Sequence, residues 1–429
     1  MEILQDSVDV LVVGGGTAGA VAAIQAARAG AKTTIVEMNG QLGGTITTGG
    51  VSAPAYFFGP DKQIIAGIGW ELVLKTKALD NTPWPDFGRH NTRRPSYHIA
   101  VNPGVYALIA EEAALEVGVD LHYHEILTGI ERYPNGWRVQ SVGKGILRKT
   151  LAREVIDCTG DADIVGLLGL PRERGEVRQP GTLEFRLRDY DLDDLDVEVV
   201  QERFEAAMEH GDLQPGDFWR AEDQLFIEFL RARGFNQQHI FGADSATAVT
   251  QTSANVEGRR AVLRLLRFVR TLPGCGQATL EKLYPMAAIR ETWRIVGETK
   301  ITYQDYMSGR LFDDAVCYTL YFIDVHTEQG VEQEFVKGGR IPTIPLGALI
   351  PKGTERLLVA GRSLASDRLA HSALRVEASC MAMGQAAGAA AALGVRMGIP
   401  SREVPLEELR KLLKAHDAIV PTIDDVEAA

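Results

Sequence analysis

At 429 residues the chain exceeds what one hydrophobic core usually supports, and its formal net charge of −12 speaks against a general binder of nucleic acid or anionic membranes, which needs a basic surface. Apolar residues make up 45% and charged residues 24%, an ordinary balance for a globular enzyme. The 44 glycines point to several backbone positions that need positive φ or a close approach to a ligand, so a small-molecule partner in a two-domain protein is expected, with a homo-oligomer left open.

The N-terminus lacks the basic stretch of a signal peptide and enters a strand within about ten residues, which suits a cytoplasmic protein. Asp9 to Val13 reads as a buried strand. Gly14-Gly15-Gly16-Thr17-Ala18-Gly19 follows, then a helical pattern to Ala29-Gly30 and a second strand, Thr33 to Val36, ending at Glu37. This is GxGxxG between strand and helix with an acidic residue about twenty positions on. Gly14 permits the tight turn, Gly16 lets the backbone approach a pyrophosphate, and Gly19 lets helix and sheet pack closely. Free N–H groups at the helix start, around Thr17 and Ala18, meet the phosphates, while Glu37 accepts the ribose hydroxyls. The motif alone fits NAD or FAD. Met38-Asn39-Gly40-Gln41-Leu42-Gly43-Gly44-Thr45 then places a second glycine pair where the chain leaves the ribose.

Asn102-Pro103-Gly104 opens a helix, with Asn as N-cap and Pro in the first turn, that runs to about Val117-Gly118. Strand-like segments at Val119 to Tyr123, Trp137 to Val142 and Ile146 to Ala152, with the turn Pro134-Asn135-Gly136 between the first two, predict an antiparallel meander before the chain returns at Val155. From Pro171 to Pro342 helix-like stretches (Asp191 to His210, Arg220 to Gly234, Thr252 to Thr271) precede strand-like ones (Leu280 to Ala288, Thr319 to Asp324), and no second GxGxxG occurs. The expected architecture is α/β: a Rossmann-like domain with an antiparallel meander (1–170 and 341–400), an inserted α+β substrate-binding domain (171–340), and a C-terminal helix and tail (401–429). Of the two basic clusters, Arg89 to Arg94 and Arg259 to Arg270, the second sits on a Leu- and Val-rich helical pattern and is expected as a solvated or ion-paired face.

Leu357 to Ala360 reads as a buried strand ended by Gly361. A helix from about Ser379 to Leu393 follows, lined with small residues; its apolar run, Gln385 to Val395, is too short to span a bilayer. The four cysteines, Cys158, Cys275, Cys317 and Cys380, show neither CxxC nor Cys/His ligand spacing, so neither a metal site nor a disulfide framework is expected.

Several segments carry a family resemblance. Leu42 to Thr45 is similar to the segment beneath the flavin's phosphate and ribityl arm in FAD enzymes. Val155-Ile156-Asp157-Cys158-Thr159-Gly160-Asp161-Ala162-Asp163 resembles the strand end of two-dinucleotide-fold flavoproteins. Arg290-Glu291-Thr292-Trp293-Arg294-Ile295-Val296-Gly297 resembles an Arg-Glu-x-Arg-Arg-x-x-Gly helix, with Trp293 in place of Arg. Leu357 to Arg362, His371-Ser372-Ala373-Leu374-Arg375 and Met383 to Gly388 are similar to the strand and helix that close the flavin site. From about Val8 to about Pro421 these resemble, in order and spacing, the FAD-dependent oxidoreductases related to heterodisulfide reductases and, more distantly, to fumarate reductase flavoproteins.

The resemblance implies FAD, bound non-covalently because no histidine lies between Gly43 and Gly50. It adds Thr159, Gly160, Asp161, Gly361 and Arg362 to the cofactor contacts, and places the closing helix's free N–H groups near Cys380 and Met381, at the flavin edge. His371 is the candidate proton carrier or a structural histidine. Arg375 is either a carboxylate anchor, as in the His-Gly-x-Asn-Arg of fumarate reductase relatives, or a structural cation; Leu374 replaces the Asn. Arg290 and Glu291 are a site cation and acid or an internal ion pair. His326 and Tyr284 are recommended only by their place in the substrate block. The leading expectation is hydride transfer from a hydroxylated acid or sugar to FAD. Reduction of an activated double bond is the second reading, and a flavin-bearing electron-transfer or scaffold component of a complex the third.

Overall fold

The computed structural model describes residues 1–84, 98–193, 195–219, 224–337 and 339–422, so the cluster Arg89 to Arg94 lies outside the described residues. Strand β1 (Glu2–Val13) starts exposed and ends buried from Val10 to Val13, carrying the chain from the rim into the core. It pairs in parallel with β2 (Thr33–Glu37), and helix α1 (Thr17–Arg28) makes the crossover. Helices α2 (Ile68–Asp80) and α3 (Pro103–Glu116) follow, and Asn102 caps α3 by accepting from the Gly104 and Val105 N–H groups at 3.0 and 3.4 Å.

The meander differs from the one the sequence predicts. Strand β3 (Asp120–Tyr123) is not part of it but a parallel edge strand beside β2. The meander is β4 (Glu125–Tyr133), β5 (Gly136–Gly143) and β6 (Ile146–Asp157), with Pro134-Asn135 between β4 and β5. Moreover, Ile146 to Ala152 and the returning strand at Val155 are one strand. Along one edge β6 pairs with β1 over its whole length; along the other it pairs first with β5, up to Ala152, and then with the strand Leu357–Val359. The sheet order is β3-β2-β1-β6-β5-β4, with Leu357–Val359 on β6. Where β5 gives way to that strand, Trp137 is buried and its Nε1 donates to the Arg356 carbonyl at 2.8 Å.

Among the described residues two large hydrophobic cores form, with a small third cluster around Ala55 and Tyr56. Apolar side chains between Leu183 and Ile289 make one of their own, built on the helices Val197–His210, Phe226–Ala232 and Ala248–Val269. Those from Ile295 to Ile350 pack instead with the large sheet built on β1 and β6, so the expected block 171–340 changes core near residue 290. The basic run Arg259 to Arg270 lies mostly on the third of these helices, where Arg264 pairs with buried Asp217 at 2.6 Å.

The helix Glu377–Met397, at 21 residues with hydropathy 1.3, is longer than the sequence predicts and has the length and composition of a membrane span, yet 89% of that window is buried inside the protein. It lies along α1 backbone to backbone: a Cβ on Gly384 would sit 2.1 Å from the Ala18 carbonyl oxygen, and one on Gly388 2.3 Å from that of Ala22. Valine for glycine slightly favours a helix by propensity, so a loss of stability at these positions reports the contact alone. Gly388→Val is expected to cost about 3 kcal/mol, whereas Gly276→Ala, facing open space, stays within roughly 0.5 kcal/mol of the parent in a denaturant titration. Equal midpoints for both would contradict this packing.

Candidate functional site

One cavity of about 1280 Å³ runs from the ends of β1 and β2 to the second core. Gly14, Gly16, Thr17, Ala18, Glu37, Met38, Gly44 and Thr45 line its first end. Gly14 has φ +97°, and a Cβ there would lie 2.4 Å from the Cys158 carbonyl oxygen; one on Gly19 would lie 1.8 Å from the Gly14 oxygen. Gly19 therefore acts through packing and does not line the cavity. Gly16 is different: the nearest atom to a Cβ there is Gly44 Cα at 3.9 Å, and the side chain would enter the cavity. Gly43 does not line it either. Its N–H donates to the Gly15 carbonyl at 2.8 Å, its own carbonyl accepts from Thr17 Oγ1 at 3.3 Å, and the second glycine pair is thereby held against the first loop. Glu37, at the end of β2, accepts from the Gly15 N–H at 2.6 Å and the Asn39 N–H at 2.7 Å, which aims a buried carboxylate at the loop.

The end of β6 supplies Thr159, Gly160 and Asp161. Asp157 fixes their turn, accepting from Thr159 and from the Ile164 and Val165 N–H groups, and burial raises its carboxyl pKa. Asp161 Oδ1 accepts from Arg362 Nη2 at 2.6 Å, Ser245 Oγ at 2.8 Å and Thr292 Oγ1 at 2.5 Å. Arg362 also donates to the carbonyls of Gly160 and Ile289, both at 2.7 Å, so its guanidinium clamps the strand end to the second core. Gly361 lines the cavity beside it. Arg290 to Trp293 is not the expected helix but irregular chain, leading into a short strand at Arg294–Ile295. Fully buried Glu291 holds it so, accepting from Arg294, Arg368 and the Gln179 N–H. Trp293 packs under the guanidiniums of Arg172 and Arg174, 4.5 and 4.4 Å from its ring centroid.

The closing helix starts at Glu377, ahead of the expected point. Because the Cys380 N–H already donates to the Val376 carbonyl at 3.0 Å, the free N–H groups belong to Glu377, Ala378 and Ser379. Cys380 lines the cavity; Met381 is turned away against Gly69. Glu377 lines it too, and burial pushes its carboxyl up to about 7. His371 does not reach the cavity: its Nε2 lies 2.7 Å from the Arg362 carbonyl, and burial with the charges of Arg294 and Arg375 pulls its pKa well below the usual value. It is a neutral ring that positions Arg362.

The far end carries chemistry to which the sequence gives little weight. The strands Ile323–His326 and Val331–Glu334 form a hairpin in which Ile323 and Val325 enter the main core while Phe322, Asp324 and His326 face the cavity, as the two-residue period of a strand requires. His326 Nε2 lies 3.0 Å from Asp324 Oδ2, and His326 Nδ1 2.8 Å from His239 Nε2. Burial would raise the Asp324 pKa, but the neighbouring His326, Arg375 and Arg290 outweigh it and hold the group at about 2. An ionised Asp324 places a proton on His326 Nε2, leaving Nδ1 as the basic nitrogen, which accepts from His239. Burial and Arg290 lower His326 to about 4, so the ring is neutral near pH 7. Arg375 lies 3.4 Å from both Asp324 and Gln179. Arg290 has no carboxylate within 4 Å among the described residues. It donates to the Pro180 carbonyl at 2.7 Å, Thr182 Oγ1 at 2.9 Å and Asn236 Oδ1 at 3.2 Å, and burial together with Arg375 pulls its pKa down to about 10. Tyr284 is buried under Gly50 and does not line the cavity.

The site fits the FAD that the sequence implies. The cavity exceeds the roughly 300–1,000 Å³ of a pocket for one small ligand, leaving room for a cofactor and a substrate together. Gly16 and Gly44 form a cradle that side chains would fill, since a Cβ on Gly44 would approach Gly16 Cα to 2.7 Å. At the rim beside Glu37, Met38, Ile126 and Leu167 are 58, 51 and 49% exposed, an apolar slot that a flat heterocycle would cover. Gly16→Val is therefore expected to fold with a near-parental thermal midpoint for the flavin-free protein, yet to purify without flavin absorbance. Stoichiometric FAD in that variant would show that the cradle lies elsewhere.

Solved structures resemble the chain at low identity. A geranylgeranyl bacteriochlorophyll reductase-like protein from Thermoplasma acidophilum is 13% identical, with 96% of this chain and 83% of that one covered and a TM-score of 0.48. The p-nitrophenol 4-monooxygenase PnpA from Pseudomonas putida is 12% identical over 100 and 92% of the two chains, with a TM-score of 0.46. A flavoprotein/dehydrogenase from Cytophaga hutchinsonii is 14% identical over 96 and 84%, with a TM-score of 0.42. No curated protein matches the chain in sequence. The sequence profile described as FAD dependent oxidoreductase matches residues 9–413, nearly the whole chain. The protein is thus a member of the FAD-dependent oxidoreductase family, an enzyme whose cofactor is FAD.

Proposed function

We propose that the protein oxidises a small hydroxy carboxylate, with Arg290 and Arg375 as the anchor for the carboxylate and His326 as the acceptor of the hydroxyl proton. FAD, when bound, supplies the acceptor for the hydride that leaves the carbinol carbon. The observation that carries the reading is Arg290, a cation on the cavity wall whose hydrogen-bond partners among the described residues are all neutral oxygens, with Asp324 and Glu184 acting on it only from beyond contact. An uncompensated charge in such a place is costly, and a neutral sugar would leave it so; a carboxylate compensates it. Arg375 is only partly neutralised by Asp324 at 3.4 Å, so the two guanidiniums and one carboxylate leave a net positive end.

His326 suits the proton step because Asp324 fixes its tautomer and presents Nδ1 as the base. A substrate hydroxyl donating to Nδ1 shares or replaces the His239 hydrogen bond. Arg290 and His326 thus divide the work: the first orients the acid group, and the second takes the proton as the hydride departs. Around them, Trp219, Phe322 and Tyr321 keep water from the reacting carbon.

The direct test is an anaerobic screen of hydroxy carboxylates for bleaching of the oxidised flavin. If none bleaches it while the photoreduced protein is reoxidised by an unsaturated carboxylate, the proposed direction is wrong. Turnover of neutral alcohols alone would remove the anchor. Arg290→Gln is expected to raise KM roughly ten- to a hundredfold, the worth of a charge-assisted hydrogen bond of about 1.5–3 kcal/mol, with a smaller effect on kcat. The acid limb of kcat/KM should fall near pH 4, since His326 acts only when unprotonated and its pKa is held at about 4. Because the Arg290 charge is one cause of that depression, the same Arg290→Gln change should move the limb to higher pH; a limb that stays or moves down assigns the base elsewhere.

A further inference from the structure

We infer that the substrate carries an aromatic ring next to its carboxylate, making the enzyme an oxidase or dehydrogenase of aryl-substituted hydroxy acids. This rests on the carboxylate reading and adds the second half of the substrate. The hairpin that carries Asp324 and His326 also carries an aromatic band. Asp324 pairs across the strands with Gln333; one step further along the same face are Phe322 and Phe335, with ring centroids 5.1 Å apart. Tyr321 stacks on Phe322 at 4.1 Å and meets Tyr56 at 5.1 Å. All of these rings line the cavity, and Phe335 is still 40% exposed. On the other side of His326, the Trp219 ring lies 5.6 Å from the imidazole, and its buried Nε1 has no partner among the described residues.

A short polar acid held by the arginines would leave this band facing water. A ring attached to the same acid covers it and brings its face or edge within reach of Phe322 and Phe335. Aromatic pairs add to the burial of apolar area, and that excess is what separates an aryl ring from an aliphatic ring of equal bulk. Acidic and basic groups at one end of the hairpin face and phenyl rings at the other therefore select a molecule that carries a carbinol, a carboxylate and a ring on one short skeleton, with the ring on the side of the carboxylate anchor.

The test uses the oxidised holoenzyme and follows flavin absorbance, without dioxygen, while three acids that lack a carbinol and one neutral aryl alcohol are titrated in. The probes are phenylacetate, cyclohexylacetate, acetate and benzyl alcohol. Phenylacetate is expected to bind at least tenfold more tightly than acetate and about twofold to tenfold more tightly than cyclohexylacetate. In Phe322→Leu and Phe335→Leu the ratio of phenylacetate to cyclohexylacetate affinity should fall towards one, and Arg375→Gln should weaken all three acids together. If the three acids bind alike, the ring assignment is overturned while the carboxylate anchor stands. Should benzyl alcohol bind as tightly as phenylacetate, the anchor fails instead. Binding of none of the four removes both.

Discussion

The cofactor end of the site depends on two helices lying close enough for their backbones to touch. Gly384 faces Ala18 and Gly388 faces Ala22, so successive turns match in the same order and α1 and the helix Glu377–Met397 run parallel. Their N-termini consequently point the same way, towards one cavity. Each carries the equivalent of roughly half a positive charge, and because Ala18 is the second residue of α1 while Gly384 is the eighth of the long helix, the two ends are staggered by about 9 Å along their shared direction. A dinucleotide would meet both ends: Thr17 and Ala18 at the start of α1 would hold its pyrophosphate, and the free N–H groups of Glu377, Ala378 and Ser379 would stabilise negative charge on its ring system. A bulkier residue at either glycine would separate the helices and move the two positive ends apart. The small-residue stripe of the long helix is thus a packing device with an electrostatic consequence.

Charge along the cavity is set by partners as local as those contacts. The chain as a whole is acidic, yet the acids that line the site are mostly committed. Glu37 is held by backbone N–H groups, Asp161 by Arg362 and two hydroxyls, and Asp324 by His326 and Arg375. Arg362 is equally committed, since three of its nitrogens bind protein oxygens. Among the described residues, two cations of the cavity wall lack a carboxylate partner: Arg172, which donates to the carbonyls of Asp161 and Ala162 and lies over the Trp293 ring, and Arg290, at the substrate end. A net charge of −12 summed over the sequence says nothing of this, because the local field is set by which partners are within hydrogen-bond reach.

Legibility in the sequence follows how local each constraint is. Gly14, Gly16 and Gly19 are readable because a tight turn, an approach and a helix–strand contact each act within a few residues. The strand β6 reads as two because its edge changes partner midway, from β5 to Leu357–Val359, which no local pattern records. Arg290 to Gly297 is expected as a helix only through the family resemblance; Thr292, Trp293, Ile295, Val296 and Gly297 add little helix propensity, and Glu291 is held in an ion-paired, fully buried position by Arg294, Arg368 and the backbone of Gln179. His371 stands out in the sequence through its place before the closing helix, yet its ring turns to the Arg362 carbonyl. The alternation of Phe322, Asp324 and His326 is legible as a two-residue period in a short strand. Their partner His239 lies 87 residues away, beyond the reach of any spacing rule.

The two ends of the cavity are built on different foundations. Cofactor-facing residues hang on the parallel sheet and its two helices, all within one core. At the substrate end, the hairpin bearing Asp324 and His326 is rooted in that core through Ile323 and Val325, whereas His239 comes from the second core beside Ile240. The His326–His239 hydrogen bond and the Arg362 contacts to Ile289 and Ser245 are therefore the joints at which one core is set against the other. A change within the second core shifts His239, Trp219 and the Arg290 partners Thr182 and Asn236 while leaving the glycine cradle untouched. The nucleotide end, set by contacts within a few residues of the glycine loop, is the part a sequence declares, and the substrate end, set by contacts between two cores, is the part only the fold assembles.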